Sequence, residues 1–400
     1  MRSLTLGLIL LSVGCHEKAV DVAEPAKATA SAVASAPVSA AQPASAPASA
    51  APKSTASPAL KVGQVGPLPA SDRVFAVSAD GGTRDLLLGT DGDALWAADV
   101  TGPAQGRLLW RVTGPGVVQR VAVGDLGRGR KLYVARGVGR GFLSAPLVLR
   151  ELDPKTGQGT ELWRNAGARN ECAHLSVADV DGDGANELAF AYYASKYMVT
   201  TRHLEADGSS QPGAGVRMAS SRAHGDLNGD GKADLAVGRV YGDAKGQPGD
   251  LKVDLGKGWT TVPTDNGVRA VLIAQLAGDT QPRLYFADGW VSNYGKEAKA
   301  QIKRAQWDGT RWTTTLVAKS ANEFTFFALQ AADVDADGAL ELVAQGNKKV
   351  TRFLPTAKAP WAAQSLAAIE PVLNTTLLRD GTRWAVAVPH KPHTRMVPVR

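Results

Sequence analysis

From about Leu60 to the C-terminus, apolar residues come in short alternating runs such as "LAVGRV" and "LVAQG", broken by clusters rich in Asp, Gly and Asn. Alternation with a period of two lines up every second side chain on one face, so each run predicts a half-buried strand and each polar cluster a turn. The spacing of three and four residues that marks an amphipathic helix is nearly absent, and the chain is expected to be all β.

The turns repeat. "DVDGDGANEL" begins at Asp179, "DLNGDGKADL" at Asp226 and "DVDADGALEL" at Asp333, with weaker copies around Asp80, Asp125, Asp279 and Asp380. The seven copies recur roughly every 42 to 58 residues, a period that means a solenoid, a propeller or an array. Trp110, Trp163, Trp259, Trp312 and Trp361 keep the same beat, each about 15 to 21 residues before the next turn. Each unit thus reads as a turn-linked pair of strands, one or two more strands, and a Trp-bearing strand. That is a four-stranded antiparallel blade, and the expected fold is a seven-bladed β-propeller over residues 60–400. The last copy ends at "TRMVPVR" without a Trp-bearing strand. "ALKVGQVGPL" is expected to supply it, the strand near Lys61–Val65 pairing with that near Met396–Val399 so that no sheet edge stays open.

Composition separates this region from what precedes it. Residues from about Ala19 to Pro58 are almost entirely Ala, Pro, Ser, Val, Lys and Thr, and such a segment cannot offset its ordering entropy, so a lipidated N-terminus and disordered linker are expected over 15–59. Ahead of it, "MRSLTLGLILLSVGC" joins Arg2, a short apolar run and small residues, which predicts a signal peptide over 1–14, too short to span a bilayer. Val13, Gly14 and Cys15 resemble the bacterial lipoprotein signal, and the resemblance implies lipidation of Cys15. Ser12 departs from it, since the leucine usual there stands one place earlier, at Leu11. The expected location is the bacterial cell envelope, lipid-anchored at the outer membrane or cell surface, or else secretion. Only one other cysteine exists, Cys172, so an acylated Cys15 leaves no intrachain disulfide.

The "D-x-D-G-D-G-x-x-D/E-L" loops resemble FG-GAP or VCBS repeats, the units of integrin-alpha-type propellers. The resemblance spans the folded part, but only three loops keep every acidic position, and it implies calcium in those three. Their chemistry agrees, because calcium takes six to eight oxygen ligands and a tight loop supplies them from alternate side chains and a carbonyl. The first set is Asp179, Asp181, Asp183, the carbonyl of Ala185, and Glu187. The second is Asp226, Asn228, Asp230, the carbonyl of Lys232, and Asp234. The third is Asp333, Asp335, Asp337, the carbonyl of Ala339, and Glu341. An EF-hand needs an acid at the twelfth place, where these loops carry Phe190, Val237 and Ala344, so that motif is excluded. Plain Asp-Gly hairpin turns remain the alternative, although turn chemistry does not ask for repeated acids at the first, third, fifth and ninth places.

Other signals reduce to structure. "GVGRG" at Gly137 and "GDLNGDGKA" around Gly225 read as turns rather than nucleotide loops, and Cys172 with His174 reads as a buried thiol beside a core residue. The formal net charge of +7 favours anionic glycans or a cell surface, while the lack of basic runs interleaved with aromatics argues against nucleic acid. Two function classes stay open. The family resemblance implies a binding or scaffolding module, expected as a monomer, with a protein or glycan ligand and a membrane link through the N-terminal lipid only. The other class is a polysaccharide lyase or hydrolase on the same fold, for which no catalytic residues are identified. The longer connections "YYASKYMVTTRH" and "DGWVSNYGKEAK" offer Tyr192, Tyr193, Tyr197, Trp290 and Tyr294 as contact residues, with packing between blades as their alternative role.

Overall fold

The computed structural model describes residues 63–399 apart from 79–83, 101–104, 140–144, 167–170, 194–197, 218, 244–246, 291–299, 321–324, 357–359, 370–374, 381–382 and 390–392. The signal segment, Cys15 and the linker lie outside the described residues, as does Lys61.

All the regular elements described are strands, and they form seven antiparallel sheets, each following chain order except that Val65–Pro67 joins the outer edge of the first. These are the seven blades. Their first strands are Arg73–Val77, Val117–Asp125, Cys172–Ala178, Ala219–Gly225, Gly267–Ala274, Ala328–Ala332 and Thr376–Asp380. The first strands are neighbours from blade one through blade six, that of blade one also meets that of blade seven, and a hydrophobic cluster joins blades six and seven, so the first strands form the inner ring.

The core is distributed between the blades. Seven hydrophobic clusters are found among the described residues, each joining two adjacent blades. This follows from alternation, because each central strand is covered on both faces and gives one face to each neighbour. In blade three, Leu175 and Val177 pack towards blade two. Trp110, Trp163, Trp259 and Trp312 lie on the fourth strands of blades one, two, four and five, and Trp361 precedes the fourth strand of blade six. Trp110 is buried, its Nε1 donating to the Pro154 carbonyl of blade two at 2.8 Å.

The closure differs from the sequence expectation. Val65–Pro67 does not reach the C-terminal strand. It pairs with Arg107, Gly106 and Gln105 of the last strand of blade one, giving that blade five strands and leaving blade seven with three. Gly106 is the physical reason for the close approach, since a Cβ there would lie 2.6 Å from the Leu68 side chain. Leu68, fully buried, then fills the seam between blades one and seven with Trp96, Leu378, Ala387 and Met396. The ring is closed by this seam and by polar bonds across it, rather than by a shared sheet.

Candidate functional site

Each acid loop links the first and second strands of its blade, in blades three, four and six. Because all first strands are equivalent around the ring, the three loops share one rim. The loops of the adjacent blades three and four touch, the Ala233 N–H donating to the Asp179 carbonyl at 3.0 Å.

The loops are shaped by their own carboxylates. Asp179 accepts from the N–H groups of Gly182 (2.7 Å) and Gly184 (3.1 Å), and Asp226 accepts from Gly229 (2.6 Å) and Gly231 (2.9 Å). Asp333 keeps one such bond, from Gly338 at 3.2 Å. The fifth-place acids Asp183, Asp230 and Asp337 accept from the N–H of Ala185, Lys232 and Ala339 at 2.8, 2.9 and 2.8 Å. The ninth-place acids reach back to the second place: Glu187 to Val180 (2.6 Å), Asp234 to Leu227 (2.7 Å) and Glu341 to Val334 (2.8 Å). Gly182 and Gly229 take φ of 80° and 81°, which the loop needs to turn inward.

Two loops gather their acids. Oxygens of Asp179, Asp181, Asp183 and Glu187 lie within 4.8 Å of one another, and so do those of Asp333, Asp335, Asp337 and Glu341. The loop of blade four has the same backbone form but makes no such group, a departure from the three equivalent sites expected. Its Asn228 carries an amide in place of a third-place carboxylate, and that amide donates to Asp230 Oδ2 at 3.1 Å.

The residues of blade three fit a hard divalent cation. Glu187 is wholly buried, and its Oε1 has no hydrogen-bond partner although it sits among three further carboxylates. Burial, with the nearby charge of Asp181, pushes the Glu187 carboxyl up to about 7. Burial likewise pushes Glu341 up to about 7 and Asp234 to about 6. An all-oxygen set at one cluster suits calcium rather than zinc or copper, which take nitrogen and sulfur.

The aromatic candidates divide. Tyr192 packs on Trp163 (ring centroids 5.5 Å) and Phe190, and Tyr193 packs into the seam of blades three and four, so both serve packing between blades. Tyr197, Tyr294 and the side chain of Trp290 lie outside the described residues.

Sequence reading missed a polar seam between blades three and four. Arg222 and His224 stand where blades three and five carry Leu175 and Val177, or Val271 and Ile273, as their strand partners Val237 and Leu235 show. Ser176 Oγ lies 2.9 Å from His174 Nε2 and 3.1 Å from His224 Nδ1. Arg222 is 1% exposed and none of its guanidinium nitrogens has a hydrogen-bond partner among the described residues. Cys172 is a buried free thiol, as expected, with Sγ 3.1 Å from the His174 carbonyl.

The fold and the loops define a seven-bladed propeller with acidic inter-strand turns. Residues 219–251, the first two strands of blade four with the acid loop between them, match the family model of the FG-GAP repeat. No curated protein matches the chain. Among solved structures, the crystal structure of the Saccharomyces cerevisiae Sqt1 is similar, with 13% identity and a TM-score of 0.47 over 80% of this chain and 82% of that one.

Proposed function

We propose that the protein is an exported propeller, stabilised by calcium, that binds or scaffolds a protein or glycan partner. The observation that carries the metal reading is the buried, unpartnered Oε1 of Glu187 inside a group of four carboxylates. A buried acceptor without a partner costs about 1–3 kcal/mol, and more if charged, so the site is built for something that supplies positive charge. Calcium there would offset part of the cluster's negative charge. Asp179, Asp181, Asp183 and Glu187 would hold it, clamping the first two strands of the blade.

The binding role is supported by the architecture. FG-GAP propellers are often used for binding and scaffolding, and the repeats occur in extracellular and surface proteins. The signal-like N-terminus with Cys15 and the linker after it agree with attachment at a bacterial envelope. The acid loops serve their own blades, which leaves the connections at the other rim for a partner. Calorimetry should detect calcium uptake, and a glycan array and pull-downs run with calcium should yield a ligand lost on chelation. Absence of calcium uptake would overturn the metal reading. Turnover of a polysaccharide would replace binding by catalysis.

A further inference from the structure

The two acid clusters have the same four ligand positions but different neighbours. On the third strand of each of blades three to six, one residue stands opposite the second residue after the ninth loop place, which is an acid in blades three, four and six and Arg283 in blade five. In blade three this pair is Ala189 and His203, in blade four Ala236 and Val253, in blade five Tyr285 and Arg304, and in blade six Val343 and Arg352.

Blade six therefore contains a fixed positive charge. Arg352 Nη1 donates to Asp335 Oδ2 at 2.8 Å and lies 3.8 Å from Glu341 Oε1. Its Nε and Nη2 donate to Gln364 Oε1 at 3.2 and 2.7 Å, which holds the guanidinium over the loop. Its side chain is only 12% exposed, so water screens the charge weakly. Blade three has nothing equivalent: His203 is turned to Glu205 at 3.4 Å, and Lys232 donates to the main-chain carbonyl of Asp181 (3.0 Å) rather than to a carboxylate. Accordingly Glu187 Oε1 is unpartnered while Glu341 Oε1 faces Arg352.

Blade five shows the same device taken further. Its loop retains a single acid, Asp279, which accepts from Arg304 Nη1 at 3.2 Å and from the Tyr285 hydroxyl at 2.5 Å. Here the arginine at that strand position is paired with the one acid of the loop.

We propose that Arg352 is a resident cation of the blade-six loop, so that calcium fills blade three first and enters blade six only by displacing the guanidinium from Asp335 and Glu341. The inference rests on the calcium reading of the acid loops and adds an order of filling to it. A guanidinium and a divalent ion compete for the same oxygens, and their mutual repulsion at a few ångströms lowers affinity further. Blade six then works as a reserve site that responds at higher calcium concentration, with Arg352 offsetting part of the charge of its acids until the metal enters.

The test isolates blade six. D181N and D230N weaken the loops of blades three and four, and R352Q is made in that background and in the parent chain. Terbium serves as probe, because the Trp384 indole donates to the Asp333 carbonyl at 2.9 Å and so sensitises an ion at blade six. Calcium displacing terbium then reports the affinity of that site. R352Q is expected to tighten it on the order of tenfold, with R352K close to the parent. In chelator R352Q should melt at lower temperature than the parent, and added calcium should remove the difference. R304Q, in a loop lacking the ligand set, should leave calcium affinity unchanged. Equal calcium affinity with and without Arg352, in chains that bind calcium, overturns the proposal alone. No uptake of calcium or terbium by any form, the parent included, overturns the calcium reading and this proposal with it.

Discussion

Ser71 Oγ and Thr394 Oγ1 lie 2.7 Å apart, a hydrogen bond between residues separated by 323 positions. Thr394 also bonds to the Pro69 carbonyl, through its N–H (3.2 Å) and its hydroxyl (2.8 Å), and the Arg379 N–H donates to Asp85 Oδ2 at 2.8 Å. These bonds and Leu68 close the ring. Leu68→Ala should cost about 2–5 kcal/mol, the range for emptying a buried leucine site. Deleting residues through Gly66, which removes strand pairing at an exposed edge but spares Leu68, should cost clearly less. Urea midpoints of the two forms decide this, and equal losses would return the closure to the strand.

Chelation should lower the melting temperature. A ligand that binds only the folded form stabilises it by about 2.7 kcal/mol per site at a hundredfold excess over Kd. Asp181→Ala should reproduce part of the loss, while a change at Asp125, outside the gathered clusters, should leave the calcium response intact. Scanning calorimetry with and without calcium reads both.

The pH dependence of the metal-free protein follows from Glu187. Its folded pKa, near 7, is above the ordinary carboxyl value, so the folded state holds this proton more tightly than the unfolded chain. The contribution is fully present at pH below about 4.5 and is lost as pH rises towards 7. Calcium competes with that proton. Its affinity should rise between pH 5.5 and 7.5, roughly the span of this titration, with proton release on binding that depends on buffer ionisation enthalpy.

The seam of blades three and four responds to acid in the opposite sense. Burial, then the charges of neighbouring groups, lowers His174 well below its ordinary value and His224 to about 4; the facing groups are Arg222, Arg120 and His203. Unfolded histidine takes up a proton near 6.5, so stability is full above that pH and is lost as pH falls towards 4. His224→Val, matching Val177 and Ile273 in the neighbouring blades, should reduce that loss. Arg222→Leu should raise stability by about 1–4 kcal/mol, since apolar replacement of buried charge is often favourable. A lower melting temperature for Arg222→Leu would mean that the guanidinium is satisfied in solution.

Ala336 has φ of 62°, where the other two acid loops place glycine. A left-handed alanine costs roughly 1–2 kcal/mol, and glycine gives back part of that through unfolded-state entropy. Ala336→Gly should therefore stabilise the protein by about 0.5–1 kcal/mol, visible as a rise of roughly 1–3 °C in melting temperature.

The acid loops were legible because ligand spacing is a local property: places one, three, five and nine can be read in ten residues, and glycines mark the turn between. What these ten residues do not contain is the residue across the sheet. Arg352 lies 17 positions after Asp335, on the third strand, and nothing in the spacing marks it as a partner of the loop. The same limit hid Asn228. Its type is visible, but whether its amide points at Asp230 is a matter of rotamer and loop shape.

Alternation, turn chemistry and a repeat period by themselves determined the strands, the number of blades and the place of each acid loop, because each depends on neighbours along the chain. The tertiary structure alone decided which edge Val65–Pro67 joins, how Leu68 and Thr394 close the ring, and why one seam holds Arg222 and His224 where the corresponding sites in blades three and five hold aliphatic side chains. Those outcomes depend on which distant surfaces meet once the ring closes. Close packing then selects among pairings that local periodicity leaves equal.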